Sequence, residues 1–207
     1  MTAFPVLRWA ALAFVLVLVP AYAAAYGPAN FVFLCNLSVF LTTIGLWTGS
    51  RLLLSSQAVG LLAIAAAWTL DLALRLLLGR HLIGGTEYMW DERFPLVTRL
   101  LSFYHVAVSA VLLYALRRLG YDRRGYLLQS AIAVAAVWAG RLLGPSANVN
   151  HAFVDPVFRR SWGGAVSHVA AIAGTLVLVV YPLTHLALVR AFRPPAGALV
   201  GGRGDGD

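Results

Sequence analysis

The chain reads as a succession of apolar runs broken by short polar punctuation. The run Ala10-Ala11-Leu12-Ala13-Phe14-Val15-Leu16-Val17-Leu18-Val19 does not alternate. It is not the strand of a membrane barrel, where lipid-facing and lumen-facing positions alternate over about ten residues. A helix needs about 20 residues to cross roughly 30 Å of hydrocarbon. The pattern predicts such spans over residues 6–26, 30–47, 55–78, 97–116, 126–143 and 164–189. Gly27-Pro28 divides the first two, since proline fixes φ and carries no amide proton. Gly49-Ser50-Arg51 separates the second from the third, and a charged turn from Gly120 to Gly125 separates the fourth from the fifth. No span has a central Gly/Pro break. Two loops are longer, over 80–96 and 144–163. The expected fold is all-α, a polytopic membrane helix bundle of six transmembrane helices. It occupies residues 1–193 and is followed by a disordered Gly-rich tail over 194–207.

The first span admits a second reading. Arg8, a ten-residue apolar stretch, Pro20 and then Ala21-Tyr22-Ala23 have the layout of a signal peptide with a small-residue cleavage site. Cleavage would leave five spans.

Composition narrows the class. Hydrophobic residues make up 60% of the 207 and charged residues 12%, against about 25% charge in a soluble domain. The net charge of +8 does not point to nucleic acid, because the basic residues are all arginine and sit at helix ends and in short loops. That placement suits topology and headgroup contact. One side would carry Arg8, Arg51, Arg117, Arg118, Arg123, Arg124, Arg190, Arg193 and Arg203. The other would carry Arg75, Arg80, Arg93, Arg99, Arg141, Arg159 and Arg160. The positive-inside rule then puts both termini in the cytoplasm of a multi-pass inner-membrane protein. Arginine-only basic usage suggests a GC-rich bacterial genome. A single cysteine excludes an internal disulfide. No two histidines stand at i, i+3 or i, i+4, so neither a metal site nor a cofactor is expected. Arg203-Gly204-Asp205 in the tail reads as chance.

Against this background the polar positions inside the spans stand out. At 1.5 Å per residue, Cys35 lies about 8 Å below the outer start of its span. Asp71 lies about 10 Å, His105 about 12 Å and His168 about 6 Å below the same side, with Arg141 close to it. An ionisable group at mid-membrane costs on the order of 3 kcal/mol, so these groups should share an outward-opening polar pocket. Ser102, His105 and Ser109 share a helix face, as do Cys35, Ser38 and Thr42. A cysteine beside an imidazole is the arrangement of a thiol nucleophile, because the thiolate is the reactive form. The Asp71 carboxylate would orient His105 through its second nitrogen. Asn36, Ser38, Ser102, Arg141, Asn148, Asn150 and His168 complete the expected substrate-binding set, the asparagines as oxyanion donors. Arg141, or Arg159 and Arg160, would meet phosphate. Blander readings stand beside these. Cys35 can be a small apolar residue, Asp71 and Arg75 at i, i+4 a structural ion pair, the histidines helix-to-helix hydrogen bonds, and Asn148 and Asn150 turn residues.

The strings Leu34-Cys35-Asn36-Leu37-Ser38, Ser102-Phe103-Tyr104-His105 and Asn148-Val149-Asn150 resemble those of the YwaF-like integral membrane proteins. The likeness covers about residues 28–190. Phe33 stands where that family often has histidine, and Val106 where glycine often follows the second histidine. The resemblance implies an acyltransferase or hydrolase acting on membrane phospholipid, as described for the family's eukaryotic relatives. It makes Cys35 the acyl-accepting nucleophile and His105 the base, with Asn148 and Asn150 lining the site. Two other classes stay open on the residues alone: a small-ligand or ion transport protein, and a structural membrane subunit whose polar groups only join helices.

Overall fold

The computed structural model describes residues 3–192. The expected tail over 194–207, together with Arg193, lies outside them. Regular structure among the described residues is entirely helical. Six rods follow one another: α1 (Leu7–Tyr26), α2 (Leu34–Thr48), α3 (Arg51–Leu78), α4 (Leu96–Leu119), α5 (Gly125–Leu142) and α6 (Ala165–Ala191). Four of them, α1, α3, α4 and α6, are long and apolar enough to cross a membrane, and α2 is a shorter apolar helix. The chain is an all-α, membrane-embedded bundle.

Local chemistry explains where the boundaries depart from the sequence pattern. Pro28 opens a short 3-10 turn, Pro28–Val32, so the second rod starts at Leu34 instead of residue 30. The Ser50 side chain accepts a hydrogen bond from the Leu53 amide at 3.2 Å and caps α3. That cap satisfies one of the free amides of the first turn and lets α3 begin at Arg51.

The third helix is the axis. It packs against α2, α4, α5 and α6, and its buried residues run from Leu54 to Leu72. α1 lies outside, against α2 and α4, and buries only Leu18 and Tyr22. Small residues let the rods approach closely, as membrane helices require. A Cβ on Gly125 would come 2.8 Å from the backbone of Ser55 and Ser56. A Cβ on Gly140 would come 2.4 Å from the Val149 carbonyl.

Two rods are irregular. α4 tightens at Ser102–Phe103, where the His105 and Val106 amides bond three residues back, at 3.1 and 3.0 Å. α6 contains a π turn over Leu176–Val180, although no central break was expected there. Pro182 follows at once and has no amide proton for the carbonyl four residues earlier, which favours such a local widening. The Tyr126 hydroxyl donates to the Val177 carbonyl at 2.9 Å.

The two long loops meet at one end of the bundle, hereafter the loop end, where Arg159 and Glu87 pair at 3.0 Å.

Candidate functional site

Just below the loop end a cavity of about 470 Å³ opens between the helices. Cys35, Asn36, Asp71, Ser102 and His105 all line it. Five of the ten residues expected at the site therefore converge, drawn from α2, α3 and α4. The remaining wall is mainly aromatic: Tyr22 and Tyr26 from α1, Trp68 from α3, Tyr88 and Phe94 from the first long loop, and Tyr104 from α4. Among the described residues no arginine borders it.

Cys35 stands in the first turn of α2 and is partly exposed. It packs against the buried cluster that includes Tyr104 and its hydroxyl. That hydroxyl donates its only proton to Asn36 Oδ1 at 2.8 Å, while Asn36 Nδ2 donates to the Asn30 carbonyl at 2.7 Å.

His105 is 5% exposed. Its ring stacks against Trp68 (4.7 Å between centroids, 9° between planes) and against Tyr104 (4.3 Å, 19°). Its Nδ1 lies 2.8 Å from the Ser102 carbonyl. A carbonyl can only accept, so Nδ1 carries the proton and Nε2 is left with a lone pair. The tight turn at Ser102 is what aims that carbonyl at the ring. The Ser102 hydroxyl pairs with the Tyr22 hydroxyl at 2.7 Å, which ties α1 to the same turn.

Asp71 does not orient His105. Its carboxylate, 1% exposed, is fully occupied by the loop that follows α3. It accepts from the amides of Leu82 (2.7 Å), Ile83 (2.7 Å), Gly84 (3.2 Å) and Thr86 (3.2 Å), from the Thr86 hydroxyl (2.5 Å) and from His81 Nδ1 (3.1 Å). Nor does it pair with Arg75, whose guanidinium bonds the Gly79 carbonyl and lies over the Trp90 ring. The orienting partner of the imidazole is the Ser102 carbonyl. A buried carboxylate gains most from several fixed N–H donors, and a chain reversal just past the end of α3 supplies them.

The other expected residues lie away from the cavity. Asn150, at φ 51°, is a clasp between segments. Its Oδ1 accepts from the Leu34 amide at 2.8 Å, and its Nδ2 donates to the Val32 and Ala136 carbonyls, each at 2.9 Å. It caps the start of the helix that carries Cys35. Asn148 accepts from the Phe153 and Val154 amides and shapes the second loop. His168, fully buried, accepts from the Trp162 amide at Nδ1 and donates to the His151 carbonyl from Nε2. With both ring nitrogens occupied it is a staple. Arg141 bonds the Ala152 carbonyl and lies 4.0 Å over the Phe153 ring. Arg159 pairs with Glu87, and Arg160 lies 3.9 Å over Trp162. These arginines hold the loops and leave the cavity without a phosphate contact. Ser38 is buried, and its hydroxyl has no partner.

Sequence reasoning missed the aromatic wall and His151, which also lines the cavity. Tyr and Trp near helix ends read as an interfacial belt, and nothing in their spacing separates a belt from a pocket lining. The one usable signal was Tyr104 itself, adjacent to a candidate catalytic histidine. Tyr88, in the loop, bonds the Trp68 indole at 3.1 Å. Burial pushes its phenol above the ordinary value, so it stays neutral. Among the described residues no three His, Cys, Asp or Glu side chains cluster to hold a metal ion.

No family model, no curated protein and no solved structure matches this chain.

Proposed function

We propose that the protein is a membrane-embedded thiol enzyme that cleaves or transfers the acyl chain of a lipid, with Cys35 as nucleophile and His105 as base. The observation that carries this reading is that one aromatic cavity is lined both by a partly exposed thiol and by an imidazole whose Nε2 bears a free lone pair. Among the described residues, neither the Cys35 sulfur nor His105 Nε2 is tied up in a hydrogen bond between helices. Asp71, Asn150 and His168, by contrast, spend their polar atoms on loops and on the start of α2.

The chemistry balances as follows. His105 Nε2 takes the thiol proton as the sulfur attacks the ester carbonyl, forming the S–C bond. The C–O bond breaks, and the imidazolium returns the proton to the leaving alkoxide. Water, or the hydroxyl of an acceptor lipid, then attacks the thioester while His105 accepts its proton, and the thiolate is released and reprotonated. The absence of arginine from the wall favours an apolar or neutral substrate portion inside, with any charged headgroup at the rim. A carrier reading is less well supported, because the six hydrogen bonds on Asp71 leave no carboxylate free to exchange an ion. In this reading the loop end faces the outside of a bacterial inner membrane.

The test is turnover of acyl-labelled phospholipid by protein purified in detergent. Cys35→Ala and His105→Ala are each expected to lower turnover by 100-fold or more, roughly the scale of a lost nucleophile or base, with unchanged melting for Cys35→Ala. A long-chain acyl electrophile should label Cys35, and more slowly in His105→Ala. Turnover that survives Cys35→Ala would overturn the assignment.

A further inference from the structure

The second long loop makes an unusual backbone excursion where it meets the Cys35 cavity. Asn148, Asn150 and His151 stand at φ 41°, 51° and 58°, in the left-handed region that residues other than glycine seldom enter. Such a run persists where its surroundings fix it. Most of the turn's polar groups do that fixing. The Asn148 side chain holds the Phe153 and Val154 amides, and the Asn150 side chain clasps Leu34, Val32 and Ala136. The His151 amide donates to the Asn148 carbonyl, and the His151 carbonyl accepts from His168 Nε2, each at 2.9 Å.

The exception is the His151 imidazole. Among the described residues neither of its ring nitrogens has a hydrogen-bond partner, and the residue is exposed and borders the cavity. With its amide and carbonyl occupied, what it offers the cavity is chiefly the ring. Its neighbour Asn150 bonds the first amide of α2, so His151 sits beside the start of the helix that carries Cys35. Crowding by the loops pushes the imidazole below its ordinary value, so the ring is neutral near pH 7. The cavity also lacks a fixed cation, since among the described residues no arginine borders it. The strained turn therefore presents an uncharged ring, with both nitrogens free, to a site without positive charge.

We propose that His151 is a specificity-determining residue of this cavity, and that its imidazole hydrogen-bonds the free hydroxyl of an uncharged lipid of the mono- or diacylglycerol class. The inference deepens the reading of the cavity as a lipid acyl site and rests on it. A hydroxyl both donates and accepts, and a neutral imidazole carries one N–H and one lone pair, so either sense of bond is available. A phosphate in the same place would meet no guanidinium and would lose its water without compensation. A lipid whose hydroxyl is masked leaves the ring unpaired, which is how a site built to hydrogen-bond its ligand rejects an analogue.

The experiment reads binding without turnover. Cys35→Ala protein in detergent is photolabelled with a diazirine-bearing diacylglycerol, and the labelled residues are mapped by mass spectrometry. Label is expected on the cavity wall, at Tyr26, Tyr88 and Phe94. Dioctanoylglycerol should displace the probe about tenfold better than its acetyl ester, in which only the hydroxyl is masked, the ratio one hydrogen bond gives. His151→Gly suits the left-handed backbone and removes the ring. It should erase that preference and melt no lower than its parent. Equal displacement by the two compounds overturns the inference, as does a preference that survives His151→Gly or stronger displacement by dioctanoyl phosphatidic acid. A lower melting temperature for His151→Gly makes the ring a prop of the loop and overturns it too. Label confined to the lipid-facing surface removes the lipid reading of the cavity itself, whereas label in the cavity without a hydroxyl preference removes only the role of His151. Because Cys35→Ala carries the assay, its result is independent of whether turnover by the intact protein needs the thiol.

Discussion

At the scale of single residues, the side chains that hold this site together differ from those that would react in it. Asp71 carries six hydrogen bonds from the loop beyond α3. Asp71→Ala would leave buried amides unpaired and is expected to lower stability by about 3 kcal/mol, the range for breaking a buried network. Thermal melting in detergent checks this. Were Asp71 instead the orienting acid of a triad, the same change would leave melting nearly intact and slow the reaction of Cys35 with acyl electrophiles. Asn150→Ala removes the side-chain cap on α2 and the bonds to two carbonyls, and should cost about 2–3 kcal/mol. The sequence made Cys35, His105 and Asn36 legible as pocket residues, because polar groups at one depth in an apolar helix have few explanations. It could not separate Asp71 from them, since a carboxylate that closes a loop and one that orients a base occupy the same depth.

At the scale of elements, close packing and loop closure make opposite demands on small changes. Gly125 lies against the backbone of α3, which cannot move aside cheaply. Gly125→Ala is expected to destabilise by about 1–3 kcal/mol through overpacking. Gly174, in α6, has nothing within 4 Å of an added Cβ, so Gly174→Ala should be neutral or gain about 0.5–1 kcal/mol from helix propensity. Comparing their melting temperatures tests the packing directly. In the second long loop, burial raises the Asp155 carboxyl, but the Phe158 amide, the Trp162 indole and the Val157 amide outweigh it and hold it below the ordinary carboxylate range. A depressed folded value stabilises the loop above the unfolded pKa of about 3.9. The contribution is lost as pH falls through the folded value. Hydrogen exchange at Val157 and Phe158 should therefore quicken, relative to its intrinsic rate, only on acidification below about pH 4. Asp155→Asn should show faster exchange at neutral pH already. The rods themselves were legible to within a few residues, because apolar length and Gly/Pro punctuation are local signals. The π turn in α6 was not, since it answers to Pro182 and to Tyr126 from another helix.

At the scale of the whole molecule, the arrangement is asymmetric. Among the described residues, the long loops, the cavity and every acidic side chain except Asp122 gather at the loop end, while the other end carries short turns. The described arginines divide evenly between the two ends, so the orientation proposed above draws its margin from Arg193 and Arg203, outside the described residues. It predicts that a cysteine placed at the exposed Ser161, in a Cys35→Ala background, reacts with an impermeant maleimide added to intact cells. One placed at Arg123 should react only after permeabilisation. The reverse pattern would turn the protein over in the membrane.

Taken alone, the order of residues determined a helical membrane bundle, the approximate rods and a layer of polar groups at one depth. These follow from how far a helix must run through hydrocarbon and from how expensive charge is there. Only the tertiary structure decided which of those groups meet. It put Cys35, Asn36, Ser102 and His105 around one cavity, gave Asp71 to a loop and Asn150 to the cap of α2, and supplied a wall of tyrosines. The reason is geometric: depth is set by position along a helix, but contact is set by rotation about it, and rotation is fixed by every neighbouring helix at once.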